Sequence, residues 1–84
     1  MATILYFAWV RELVGAGEER IDLPTEAVTL GELADWLRDR SEGHRAAFTD
    51  RTRLRGAIDQ SFAAWDAPVS GAKEIAFFPP VTGG

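Results

Sequence analysis

The chain has 84 residues and a mass of 9.2 kDa, the size of one small domain, which leaves no room for a second. Its nine basic and thirteen acidic residues give a formal net charge of −4, which argues against nucleic acid and anionic membranes as partners. Cysteine is absent, and this excludes disulfides, thiolate metal sites and a cysteine nucleophile.

The first part of the sequence predicts two strands. Residues 2–10 form an apolar run of β-branched and aromatic residues, which predicts a strand buried on both faces. Residues 11–14 then lead to a glycine and predict a loop with at most a short helix. Residues 19–23 alternate between polar and apolar types, which predicts a second strand in a hairpin with the first.

One helix is strongly marked. Thr29 and Glu32 have the spacing of a capping box, in which each side chain satisfies a backbone amide at the helix start. An apolar stripe follows at helical spacing and predicts a helix that packs on a sheet and ends near Arg40. The stripe consists of Leu30, Leu33, Ala34 and Leu37.

The second half predicts further strands. Residues 41–52 have a weak pattern that predicts a loop with a possible short helix. Residues 53–60 and 62–65 read as strands, and residues 73–78 predict a final apolar strand. The element order therefore predicts an α+β fold in which one main helix packs across a mixed sheet.

The C-terminal residues are the most informative segment. The last predicted strand feeds two prolines, whose restricted backbone favours an extended exit from the body. Six residues reach about 20 Å, at roughly 3.3 Å each, and the terminal glycines have no side chains to obstruct entry into a narrow cleft. The segment consists of Pro79, Pro80, Val81, Thr82, Gly83 and Gly84.

The terminal carboxylate of Gly84 is the candidate reactive group. A carboxylate is a poor electrophile, but an ATP-dependent partner can convert it into an acyl-adenylate. A sulfur nucleophile can then displace AMP and leave a thiocarboxylate, a chemistry that requires no cysteine in this chain. The simpler alternative is a frayed terminus that happens to contain glycine.

Segments at both ends of the chain resemble the small, sulfur-carrying subunit of molybdopterin synthase. Near the start these are Tyr6-Phe7-Ala8 and Val10-Arg11-Glu12-Leu13-Val14-Gly15. At the end the segment is Ala76-Phe77-Phe78-Pro79-Pro80-Val81-Thr82-Gly83-Gly84. Length and element order also agree, so the resemblance covers essentially the whole chain. A Gly-Gly ending alone is shared with ubiquitin, the thiazole-pathway sulfur carrier and other β-grasp proteins.

The resemblance implies a ubiquitin-like β-grasp domain over residues 1–78 and an extended tail over residues 79–84. It implies parallel first and last strands at the sheet centre. An adenylating enzyme of the ubiquitin-activating type uses ATP to activate Gly84, and a sulfur donor protein supplies sulfur. The thiocarboxylate then donates its sulfur to cyclic pyranopterin monophosphate inside the large subunit of a heterotetramer. The carrier itself supplies no catalytic acid or base and binds no cofactor or metal.

The same resemblance assigns docking residues. Phe7, Phe62 and Phe78 match aromatic and aliphatic positions that contact the large subunit. Arg11 lies in the family-like loop and is either a support of the interface or an ordinary surface arginine. Ordinary core packing is the alternative for each phenylalanine. Two segments depart from the family pattern: Asp59 replaces an asparagine, and residues 70–74 replace an acidic turn.

Other polar residues give weaker signals. Arg51, Arg53 and Arg55 alternate, which predicts one face of a strand that is either solvated or meets acidic groups of a partner. His44 has no neighbouring ligand types at metal-site spacing. Ser41, Ser61 and Ser70 have no recognisable base, so no hydrolase triad is predicted.

Other functions stay open at the level of sequence. The chain would be a ubiquitin-like modifier if Gly84 is joined to lysine amines, or a plain binding module if the tail is inert. Sulfur carriage for thiazole synthesis is the nearest competitor within the carrier class. The sequence start lacks the basic region and long apolar stretch of a signal peptide, so we expect a cytoplasmic protein.

Overall fold

The computed structural model of the protein describes residues 1–80. Residues 81–84 lie outside the described part of the chain. Within the described part, five strands, three α-helices and a short 3-10 helix are present. In chain order they are β1 (Ala2–Tyr6), α1 (Ala8–Val14), β2 (Glu18–Ile21), α2 (Leu30–Arg38), α3 (Glu42–Phe48), the 3-10 helix (Arg51–Arg53), β3 (Arg55–Ile58), β4 (Ser61–Ala63) and β5 (Glu74–Phe78).

The five strands form one mixed sheet in the order β2-β1-β5-β3-β4. Strand β5 lies at the centre and pairs in parallel with β1, where Ile4 faces Ile75 and Tyr6 faces Phe77. All other neighbouring pairs are antiparallel. The predicted α+β class, the hairpin of β1 with β2 and the parallel pairing of the first and last strands are confirmed.

The core lies between one face of the sheet and the helices. Alternate residues of the two central strands, Ile4, Ile75 and Phe77 among them, are fully buried, as expected for strands with one face packed against helices. Helix α2 contributes the predicted apolar stripe, all of it buried. Its capping box is also confirmed, since the Glu32 amide donates to Thr29 Oγ1 at 3.2 Å and the Thr29 amide donates to Glu32 Oε1 at 3.0 Å.

The prediction of one strand over residues 2–10 is wrong beyond Tyr6. Phe7 is the N-cap of α1, and its carbonyl accepts hydrogen bonds from the amides of Val10 and Arg11. The helix ends at Gly15, which has the left-handed conformation (φ 89°) that glycine adopts without steric cost. Val10 is fully buried, so tertiary packing overrides the strand propensity of this run.

Residues 41–52 contain more helix than the sequence predicted. Helix α3 is capped by Ser41, whose hydroxyl accepts from the His44 amide at 3.1 Å. The helix packs closely on α1: a Cβ added to Gly43 would clash with the backbone carbonyl of Leu13. The close approach of two helix backbones explains why glycine occupies the second position of α3, although its helix propensity is low.

The prediction that Arg51, Arg53 and Arg55 share one face of a strand is wrong. The first two belong to the 3-10 helix, which is capped by Asp50, and β3 begins only at Arg55. The Asp50 carboxylate accepts from the Thr52 amide at 3.0 Å. This local bond stabilises a turn that breaks the strand pattern.

The structure explains why aspartate can occupy position 59, where the resembled family has asparagine. Asp59 and Gln60 both have positive φ, at 49° and 72°, and form the turn between β3 and β4. Asp59 Oδ1 accepts from the amides of Lys73 and Glu74 at 2.9 and 3.0 Å. An asparagine carbonyl can accept the same two bonds, and both residue types tolerate this conformation.

Within residues 1–80, no helix has the length and apolar character needed to cross a membrane.

Candidate docking face and tail base

The tail base is held by the central strand of the sheet. Strand β5 is paired on both edges through Phe77, which lies opposite Tyr6 of β1, and its last residue, Phe78, lies opposite Arg55 of β3. The Phe7 amide also donates to the Phe77 carbonyl at 3.1 Å. A strand bonded on both sides is among the most firmly held parts of a sheet, so the chain leaves the body from a rigid point.

Phe77 anchors this strand from the core side. Its ring is fully buried and lies 4.9 Å from the Phe48 ring in an edge-to-face arrangement, with the Trp65 ring stacked at 6.5 Å. Aromatic pairs of this geometry add stability beyond the area they bury. Successive strand residues point to opposite faces, and Phe78 therefore projects from the other face of the sheet.

That other face, opposite the helices, is here called the outer face. Its members around the tail base are Leu5 of β1, Ala76 and Phe78 of β5, Arg55 and Ala57 of β3, and Phe62 of β4. Phe62 is 82% exposed and its ring centroid lies 5.7 Å from that of Phe78. A large aromatic ring so exposed on a small protein is typical of a surface that a partner covers.

The three predicted docking phenylalanines lie at one end of the sheet. Phe7 directly follows Tyr6, which pairs with Phe77, so the parallel register places Phe7 beside Phe78. Phe7 is 48% exposed and Phe78 is half-buried. We call Phe7, Phe62 and Phe78 the aromatic patch. Phe62 and Phe78 are in ring contact, whereas no ring pairing of Phe7 occurs within residues 1–80.

The remaining predicted site residues differ in their placement. Arg11 is exposed on α1, and its guanidinium lies over Gly17, where an added Cβ would come within 3.3 Å of it. Pro79 and Pro80 follow β5 and are half-buried. The predicted tail residues Val81, Thr82, Gly83 and Gly84 lie outside the described residues.

A polar cluster that the sequence did not reveal ties β1, β2 and α3 together. His44 is buried at 5% exposure; its Nδ1 lies 2.7 Å from Ser41 Oγ and its Nε2 lies 2.7 Å from Glu19 Oε1. The Tyr6 hydroxyl donates to the same Glu19 oxygen at 2.7 Å. The expectation that Ser41 has no base beside it is therefore wrong.

This cluster stabilises the fold. Ser41 Oγ caps α3 on the His44 amide, and Glu19 also pairs with Arg40 at 3.4 Å. Burial raises the pKa of Tyr6 well above its ordinary value, and the hydrogen bond to Glu19 and its charge add to the shift. Burial acts to raise the pKa of Glu19, but hydrogen bonds from Tyr6 and His44 and nearby positive charge outweigh it and lower that pKa overall. Spacing along the sequence indicates at most the contact between Ser41 and His44, which are three residues apart; Tyr6 and Glu19 come from separate strands.

Within the part of the chain that the structure describes, no three side chains of metal-binding types stand close enough to hold an ion. The candidate site is a docking face next to the base of the tail, marked by the exposed Phe62 ring and its contact with Phe78.

Comparison with known proteins decides the family. The model of the ThiS family matches residues 4–84. The chain belongs to the ThiS family. The expected resemblance to ubiquitin-like sulfur carriers is confirmed by this match.

Full-length relatives agree with the ThiS family assignment. The protein named molybdopterin synthase sulfur carrier subunit from Escherichia coli (strain K12) is 40% identical over a 93-residue alignment that covers 100% of both chains. The protein of the same name from Haemophilus influenzae is 34% identical over 84 residues, again with 100% of both chains covered.

A solved structure supports the fold. The crystal structure of small archaeal modifier protein 1 from Haloferax volcanii has a TM-score of 0.69 and 25% identity to this chain, and the match covers 96% of this chain and 100% of that one. The ubiquitin-like β-grasp fold is therefore confirmed for this member of the ThiS family.

Proposed function

We propose that this chain is the sulfur carrier subunit of a molybdopterin synthase and that Gly84 bears the sulfur as a thiocarboxylate. The observation that carries the proposal is full-length similarity, at 40% and 34% identity, to two proteins named as this subunit. The Gly83-Gly84 ending of the sequence supplies a terminus suited to the chemistry.

The proposed chemistry needs an activating partner. A carboxylate oxygen of Gly84 attacks the α-phosphorus of ATP in an adenylating enzyme of the ubiquitin-activating type, and pyrophosphate leaves. Sulfur at the oxidation level of sulfide, supplied through a donor protein, attacks the glycyl carbonyl carbon and expels AMP. The product is a thiocarboxylate, and neither step requires a cofactor on this chain.

Sulfur donation is proposed to occur in the large subunit. The thiocarboxylate sulfur bonds to a carbon of cyclic pyranopterin monophosphate as a carbon–oxygen bond at that carbon breaks and its oxygen leaves on the phosphate or as water. A further water molecule then cleaves the bond between sulfur and the glycyl carbonyl carbon. The sulfur stays with the substrate and Gly84 regains its carboxylate. On this account the catalytic groups belong to the large subunit, two carriers bind a dimer of large subunits, and the whole process is cytoplasmic.

The folded domain has two roles in this proposal. The doubly paired strand β5 holds the tail base in a fixed place, and the aromatic patch beside it gives the large subunit a surface to bind. Fixing one end of a short tail limits the positions its other end can reach, which favours productive placement of a reacting group. Arg11, packed over Gly17, is proposed to support the same interface.

Removal of Gly84 tests the proposal. The full chain and a chain ending at Gly83 are each combined with the adenylating enzyme, ATP, a sulfide source, the large subunit and the pterin substrate. We expect molybdopterin from the full chain only, while circular dichroism shows the same fold for both. Molybdopterin formation by the truncated chain would refute Gly84 as the site of sulfur attachment.

A second function has one observation in its favour. The similar solved structure belongs to a protein named small archaeal modifier protein 1, and a modifier joins its terminal glycine to lysine amines. Detection of isopeptide-linked targets of Gly84 in cells would favour this function.

The sulfur carrier of thiazole synthesis is the alternative within the carrier class. Formation of the thiazole product in place of molybdopterin would assign the chain to that pathway.

A further inference from the structure

The three arginines that alternate in the sequence have three different environments. Arg51 Nη2 lies 2.6 Å from Asp35 Oδ1 and 3.0 Å from the Gly31 carbonyl oxygen, and its guanidinium lies over the Trp65 ring. The positive charge of Arg51 is therefore paired with Asp35, and one of its N–H groups is bonded within the chain. Arg51 therefore stabilises the contact between α2 and the segment that contains Trp65.

Arg53 is directed toward a different element. Its guanidinium lies 4.9 Å from the centroid of the Trp9 ring on α1, a cation–π contact that also covers part of the indole. Trp9 is half-buried and packs against the core. Arg53 thus lies beside α1, with its guanidinium against the Trp9 ring.

Arg55 lies next to the aromatic patch and has no carboxylate partner among residues 1–80. It is exposed and pairs across the sheet with Phe78. Its Nη1 donates to the carbonyl oxygens of Leu54 at 2.7 Å and Thr52 at 3.4 Å. Within residues 1–80, no carboxylate lies within salt-bridge distance of Arg55, whereas Arg40, Arg45 and Arg51 each pair with one.

The position of Arg55 next to the aromatic patch suits its charge to binding a carboxylate of a partner. Arginine is enriched in protein interfaces, and its planar guanidinium matches a carboxylate with two parallel hydrogen bonds. The chain as a whole is acidic, with a net charge of −4, so a general attraction to an acidic surface is absent. A single cation at the rim of an apolar patch instead favours one orientation of a partner that has a carboxylate at the matching place.

We infer that Arg55 is a specificity residue of the outer face and that it pairs with a carboxylate on the rim of an apolar pocket that receives Phe62 and Phe78. The inference rests on the proposed function, since the large subunit is the partner to which it commits. It adds the chemistry of the partner surface: an apolar pocket with an acidic edge on the side of β3.

Charge reversal with a matched control tests the inference. Arg20 is also exposed and lies on the edge strand β2, opposite Thr3. Its distance from Arg55 is roughly 20 Å by strand spacing. Arg55→Glu and Arg20→Glu change the net charge equally. The association rate with the large subunit is measured for full-length wild type and both variants, at low and at physiological salt.

We expect Arg55→Glu to slow association by about tenfold relative to Arg20→Glu at low salt, because a close attraction becomes a repulsion. Arg55→Ala, which cannot repel, is expected to weaken the salt dependence seen with wild type. Equal slowing by Arg55→Glu and Arg20→Glu would show that only net charge matters and would overturn the inference. An unchanged rate for Arg55→Glu would overturn it as well.

The outcome for wild type separates this inference from the proposed function. If wild type binds the large subunit and transfers sulfur while Arg55→Glu associates normally, the inference alone fails. If wild type neither binds nor transfers sulfur, the proposed function fails and the inference fails with it. Circular dichroism of each variant shows that a loss of binding does not come from unfolding.

Discussion

Phe62 and Phe78 lie 5.7 Å apart between ring centroids although their strands are not neighbours. Strand β3 runs between β4 and β5, and its outer-face residue at the level of Phe62 is Ala57. The small alanine leaves room for the two rings to meet above it. The Phe62 ring, which is 82% exposed, contributes little to folding and is available to a partner.

Phe62→Ala should therefore weaken binding far more than it weakens the fold. Phe62 is 82% exposed, so truncation should change the free energy of unfolding by less than about 0.5 kcal/mol. Loss of a central aromatic contact should reduce affinity for the large subunit by about tenfold or more. Titration calorimetry gives the affinity and urea unfolding gives the stability.

Val28→Ala is the control for that prediction, because Val28 is 55% exposed and lies outside the aromatic patch. Val28→Ala should leave the affinity for the large subunit and the free energy of unfolding nearly unchanged. Equal affinities of wild type and Phe62→Ala for the large subunit would contradict the assignment of the docking face.

Gly43→Ala should destabilise the protein although alanine is the better helix former. The added Cβ would clash with the Leu13 carbonyl, and backbone cannot move aside as a flexible side chain can. The separation of α1 and α3 must increase, at a cost of about 1–3 kcal/mol, which exceeds the gain in helix propensity of about 1 kcal/mol. Urea unfolding measures the difference. A more stable Gly43→Ala variant would show that the two helices are not held in this contact.

Asp59→Ala and Asp59→Asn should separate the two functions of this side chain. The alanine variant loses the acceptor for the amides of Lys73 and Glu74 and places a residue with no local hydrogen bond at positive φ. We expect it to lose about 1–2 kcal/mol of stability. The asparagine variant keeps the acceptor and should stay within about 0.5 kcal/mol of wild type. Hydrogen exchange of the Glu74 amide should accelerate in the alanine variant only, and slow exchange in both variants would disprove the bond.

Glu19 should make folding stability depend on pH in the acidic range. Its pKa in the folded chain is lowered below the ordinary value of 4.5, so its contribution is present above that value and is lost as pH falls through the lowered pKa. Glu19→Gln keeps an acceptor oxygen for Tyr6 and His44 but does not titrate. We expect wild type to lose more stability than Glu19→Gln on acidification below about pH 5. Parallel stability curves for the two proteins would rule out this contribution.

Local sequence signals predicted the elements whose patterns are self-contained. Thr29 and Glu32 fixed the start of α2 because a capping box involves only one helical turn. The apolar run of β5 was also recognised, since its middle residues Ile75, Ala76 and Phe77 are apolar and buried. Its pairing with β1 followed from the family resemblance, because residues distant in sequence leave no local trace of their contact.

Features that depend on tertiary contacts were missed. The run from Ala8 to Val10 has strand-forming residues, yet it forms a helix that buries Val10. Ser41 is the one partner of His44 that lies near it in sequence among the described contacts, whereas Glu19 and Tyr6 lie on two other elements and left no local sign of the cluster. For the same reason the alternation of the three arginines did not reveal that Arg51 and Arg53 are occupied within the chain.

The most direct test of the central claim is the chemical state of Gly84 in chain isolated from cells that contain its activating enzyme and sulfur source. The chain has no cysteine, so a thiol-directed alkylating reagent at neutral pH labels a thiocarboxylate without competition from side-chain thiols. We predict a population heavier than the unmodified chain by the difference between sulfur and oxygen, which takes up one alkyl group in the C-terminal peptide at Gly84. A chain that stays at its unmodified mass and takes up no label would contradict the account.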